Sequence, residues 1–64
     1  MDSAYQIAQV YAIRGEPDLA FEWLERAFDQ RDSGLHYVMA DPDVRSLHAD
    51  PRWDAFLRKM GLAD

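Results

Sequence analysis

Cysteine is absent from the 64-residue chain, which excludes disulfides, thiolate nucleophiles and zinc-thiolate sites together and leaves side-chain packing to hold the fold. Long apolar runs are also missing. Nothing approaches the roughly 20 apolar residues that span a bilayer, and the opening "MDSAYQ" has neither the basic start nor the apolar stretch of a signal peptide. A soluble, cytoplasmic protein is therefore expected. Basic residues are scarce, with seven Lys and Arg against twelve Asp and Glu and a net charge of -5. That balance repels nucleic-acid phosphates and anionic membranes, so neither is expected as a partner. The three glycines stand apart, and "RGEP" and "DSGL" hold one each. Neither stretch resembles a phosphate-cradling loop.

What remains is a helical pattern. Ser3 and Gln6 have capping-box spacing ahead of "AYQIAQVYAIR", which predicts a first helix to about Arg14, closed by Gly15. Pro17 and Asp18 then suit the first turn of a second helix that ends near Gln30. On that helix Leu19, Ala20, Phe21, Trp23, Leu24, Ala27 and Phe28 cover an arc of roughly 200°, too wide for one neighbour. The first helix, through a stripe of Ala4, Ile7, Ala8 and Tyr11, is one expected neighbour. The C-terminal part must be the other.

Residues 31–36 read as a connection, followed by a helical turn in "LHYVMA". Asp41 and Asp50 each precede a proline, and Asp-Pro is N-cap followed by first helical position. The pairs therefore mark helix starts. The first opens a short helix carrying Val44 and Leu47. The second opens "PRWDAFLRKM", with Trp53, Phe56, Leu57 and Met60 on a narrow apolar stripe and Gly61 as its stop.

The order Ala4, Ile7, Ala8, Tyr11, Gly15, Ala20, Leu24, Ala27 and Asp32 has the spacing of the tetratricopeptide repeat, with Asp32 where that signature has proline. The chain resembles one such unit over residues 2–34, and "DPDVRSLHADPRWDAFLRKMGL" is similar to the tail that follows the final repeat in many bacterial proteins. The resemblance implies an all-α fold: an antiparallel helical hairpin, then short capping helices over residues 35–64, in one domain of residues 1–64. It also implies a protein or peptide partner on the first helix, at Tyr5, Gln9, Ala12 and Ile13, with Asp2 at the margin. The basic and asparagine residues with which chaperone-binding relatives clamp C-terminal carboxylates are absent from Tyr5, Gln9 and Ala12.

One repeat unit alone buries too little, so something must replace its neighbours. Val10 and Ile13 lie off the Ile7 and Tyr11 stripe and give the first helix a second apolar surface, through which a homodimer is expected. A C-terminal regulatory or accessory tail of a larger bacterial signalling enzyme or regulator is the alternative. Catalysis is not expected, nor is a cofactor. His36, His48, Asp41, Asp43 and Asp50 are metal-ligand types without metal-ligand spacing, and no serine has a nucleophile-elbow setting. Trp23, Trp53, Phe28 and Phe56 recur at helical spacing and read as core.

Overall fold

A computed structural model describes residues 3–62 of the chain and is all-helical, with no strand among the described residues. Three α-helices, α1 (Ala4–Ile13), α2 (Pro17–Asp29) and α3 (Pro51–Lys59), are joined by two 3-10 helices, Ser33–Tyr37 and Pro42–Leu47. Their starts follow local chemistry. Ser3 accepts from the Gln6 N–H while the Gln6 side chain accepts from the Ser3 N–H, completing the capping box. Asp41 and Asp50 cap the helices that begin at Pro42 and Pro51.

The three α-helices also end alike. Glu16, Asp32 and Leu62 donate their N–H groups to the carbonyls of Tyr11, Ala27 and Leu57, and the residue before each donates to Ala12, Phe28 and Arg58. This paired closure needs a left-handed residue just past the cap. Gly15 (φ 74°) and Gly61 (φ 78°) supply it at two ends; at the third Arg31 does so, with φ 54°. A residue with a Cβ is strained there.

One core draws on all five helical elements. Ala8, Ala20 and Ala27 are fully buried, and their small side chains let α1 and α2 approach closely. Leu24, Val38, Val44, Leu47 and Phe56 fill the space beyond. The backbone of α1 runs close to α2 and to the Pro42–Leu47 turn, whereas α3 reaches α2 through long side chains. Arg52 meets Asp18 at 2.8 Å and stacks over Phe21, and seven residues on Lys59 binds Glu25 and lies over Phe28. Both partners advance by the same two turns, so α3 runs parallel to α2. Solvent screens ion pairs this exposed, and they set register more than stability.

The buried stripe of α1 differs from the one its sequence suggests. Ala4, Tyr5, Ala8 and Ala12 are buried, whereas Ile7 and Tyr11 are only partly so. The helix is turned because Tyr5 lies beneath the first 3-10 helix, where an added Cβ on Gly34 would stand 2.7 Å from the Tyr5 ring. Contact that close admits only glycine. Gly34→Ala should therefore cost about 1–3 kcal/mol, read as a lower urea midpoint at unchanged slope; an unchanged midpoint would mean that the Tyr5 ring can move aside.

Candidate functional site

The first helix is where the resemblance implies a partner surface, and residues 32–46 of the same chain lie over part of it. Tyr5 sits in the second helical position, whose N–H has no partner within its own helix. The Asp32 carboxylate accepts it at 3.2 Å from 27 residues away, while its other oxygen accepts the Gly34 N–H at 2.9 Å. One side chain thus caps two helices. Farther along, a single Asp41 oxygen accepts the Tyr5 hydroxyl and the Gln9 amide, each at 2.5 Å, and its other oxygen accepts the Asp43 N–H. Near the end of α1 the Ser46 hydroxyl donates to the Ala12 carbonyl at 3.2 Å. Three polar ties therefore fix the 3-10 segment along the length of α1.

The four expected contact residues divide accordingly. Tyr5 and Ala12 are each only 3% exposed, and Gln9 is half-buried and bound to Asp41, whereas Ile13 is 65% exposed. The structure brings Tyr5 and Gln9 together on one carboxylate and leaves Ile13 apart, beside Val10. Asp2 lies outside the described residues. Nothing local in the sequence announces the tie between Tyr5 and Asp41, because their separation of 36 residues leaves no helical period to read. Asp32 was more accessible to reasoning, since Asp two residues before Gly is a turn and cap signal.

Between the start of α1 and the 3-10 helices lies a cleft of about 590 Å³, bordered by Ser3, Gln6, Tyr37 and the two carboxylates. Its acids are poor proton donors. The Gly34 N–H, against the opposing effect of burial, and then the Tyr5 N–H hold Asp32 below the ordinary carboxylate range. At Asp41 burial works against ionisation, yet the Tyr5 hydroxyl, the Asp43 N–H and the Gln9 amide outweigh it and the shift is again downward. Burial, followed by the bond to Asp41 and the nearby carboxylates, pushes the Tyr5 phenol far above its usual value. General acid catalysis near neutrality calls for a carboxyl raised by burial, and the shifts here run the opposite way. His48 stacks on Trp53 with ring centres 4.3 Å apart. Among the described residues no group of three or more His, Cys, Asp or Glu is arranged to hold a metal ion, and no helix is long and apolar enough to cross a membrane.

No family model matches the chain, and neither a curated protein nor a solved structure matches it.

The shifts at Asp32 and Asp41 fix the sign of the acid response. A carboxylate whose folded pKa lies below its unfolded value of about 3.9 stabilises the fold above that pH and ceases to as pH falls through the folded value. The urea midpoint should hold steady down to about pH 5 and drop below about pH 4. Tyr5→Phe should cost about 1–2 kcal/mol at pH 7 through loss of a bond to a charged acceptor, a fall in Tm of about 4–8 °C per kcal/mol in a domain this small. Its acid limb should be shallower than that of the wild type. Equal limbs would show that the Tyr5 hydroxyl does not stabilise ionised Asp41.

Proposed function

We propose that the chain is a non-catalytic protein–protein interaction module of the tetratricopeptide type, and that its first partner is a second copy of itself, bound through the outer face of α1. The observation that carries this reading is the exposure of Val10 (51%) and Ile13 (65%) on a helix with no charged residue in its ten positions. Apart from Gln6 and Gln9 the helix is apolar, and a helix of that kind is normally covered over most of its surface. Residues 32–46 cover one edge and α2 another; the Val10 and Ile13 face has no cover within the described residues.

Charge favours a second copy as the cover. The net charge of -5 disfavours approach of two copies in general, but Asp18, Glu22, Glu25 and Asp29 all belong to α2. The outer face of α1 opposes no acid to its own image. At its end Arg14 and Glu16 form a 3.5 Å pair, so two copies related by a twofold axis would meet through Val10 and Ile13, with the uncharged Gln6 between them and balanced charge at the rim. The spacing of Ala8, Gly15, Ala20 and Ala27, and the way the small residues close the hairpin, support the repeat-type reading; the setting proposed for it is the cytoplasm. If the chain is instead the tail of a larger protein, the same α1 face serves as its docking side within that protein.

Sedimentation velocity across a concentration series is the test. The account expects a shift from monomer to dimer as concentration rises, and a dimer dissociation constant at least tenfold weaker for Ile13→Glu, equivalent to about 1.4 kcal/mol, with the circular dichroism of the hairpin unchanged. A wild-type chain that stays monomeric at high micromolar concentration, or an Ile13→Glu dimer as tight as the wild type, would contradict it.

A further inference from the structure

The outer face of α1 and the cleft at its start meet at Gln6 and Gln9, which border the cleft together with Tyr37. Tyr37 is 71% exposed, more than any other large apolar residue described, and Ile13 at 65% comes next. The two belong to one strip of surface. From this layout we infer that the self-associated pair is antiparallel along α1, with Ile13 of each copy seated at the mouth of the other copy's cleft, against Gln6, Gln9 and Tyr37. The inference rests on the reading of α1 as a dimer face, and adds to it the orientation of the pair and the cleft that the second copy closes.

Helix geometry limits what a twofold axis can do here. At about 100° per residue, Gln6 and Val10 run down the middle of the outer face, with Ile13 and Gln9 to one side and Ile7 and Arg14 to the other. The cleft lies on the side of Gln9, whose amide binds Asp41. A twofold axis parallel to α1 swaps the sides and sets Ile13 against its own image, so neither cleft is reached. A twofold axis that crosses α1 near Val10 keeps the sides and exchanges the ends. Ile13, about 4.5 Å beyond Val10 along the helix, then stands level with Ile7 of the other copy and on the cleft side. That position is between Gln6 and Gln9.

Exposure and charge select the crossed arrangement. It covers Tyr37 along with Val10 and Ile13, whereas the parallel one leaves Tyr37 bare. Each cleft carries two carboxylates held in the ionised form, Asp32 and Asp41, and no Lys, Arg or His among its described lining residues. Crossing the helices puts the two clefts at opposite ends of the pair; running them parallel gathers the acids at one end, in copies that each carry a net charge of -5. Opposite ends of the two helix dipoles also adjoin. Closing the mouth strands no acceptor, because the oxygens of Asp32 and Asp41 take N–H and O–H groups from their own chain.

The chain has no cysteine, so single-cysteine variants report the orientation without background. Gln6→Cys and Ile13→Cys are mixed in a glutathione redox buffer and the linked species are identified by mass. The mixed disulfide should exceed either self-linked species about tenfold or more, because like positions stand about 9–12 Å apart along the crossed helices and a disulfide needs Cα atoms within about 7 Å. Tyr37→Ala should weaken the dimer about fivefold or more in sedimentation, with circular dichroism unchanged. Leu62→Ala, at an exposed residue that does not border the cleft, should leave the dimer as it is. Self-linked Ile13→Cys as the main product, linkage without preference, or a Tyr37→Ala dimer as tight as the wild type would each overturn the inference while self-association stands. A wild-type chain that stays monomeric removes the dimer reading and this inference together.

Discussion

Tyr5 carries a phenol into the interior, and a buried hydroxyl is costly unless it finds an acceptor. Asp41 supplies one, and in doing so brings with it a stretch of chain that has no α-helix of its own. Residues 30–50 hold two 3-10 helices of five and six residues, too short to persist without tertiary support. Their order comes from α1: the ring of Tyr5 against Gly34, its N–H on Asp32, its hydroxyl on Asp41. Once those are placed, Leu35, Val38, Val44 and Leu47 fall into the core, and the chain reaches Asp50 positioned to start α3 along α2. Gln9 and Ser46 add to the same seam.

The division of the α1 surface follows. An uncharged helix must be covered on several sides, and here α2 takes the alanine side and the 3-10 segment the Tyr5 side. The surface at which the resemblance places a partner is thus largely occupied by the chain itself, with Tyr5 and Ala12 inside. What α1 still offers is the ridge of Val10 and Ile13. The second open surface, at Met39 and Leu62, lies where α2 and α3 end, so the molecule presents one uncharged face and one largely apolar groove bordered by Arg31 and Asp32.

Much of this architecture was legible in the sequence because it is written locally. The Ser3 and Gln6 box, the two Asp-Pro starts and the glycines at 15 and 61 each act within four residues, and the helices begin and end where they indicate. The repeat spacing that includes Ala8, Ala20 and Ala27 also pointed to a paired hairpin of helices. Which way α1 faces was not legible. Apart from Gln6 and Gln9 its residues are apolar, so Ile7 and Tyr11 fit the pattern as well as Tyr5 and Ala12, and the choice is made by hydrogen bonds spanning 27 to 36 residues. The left-handed Arg31 escaped for a related reason: arginine is not a residue that marks a turn, and only the backbone shows that it stands in a position which glycine takes at the other two helix ends.

If Tyr5 binds the 3-10 segment to α1 as one cooperative unit, the two must open together. Native-state hydrogen exchange reads this directly, through the bonded amides of Val38 and His48 beside those in the interior of α1. The account predicts a common opening free energy equal to that of global unfolding. Exchange of Val38 and His48 through a separate, much easier opening, with α1 and α2 still protected, would contradict it.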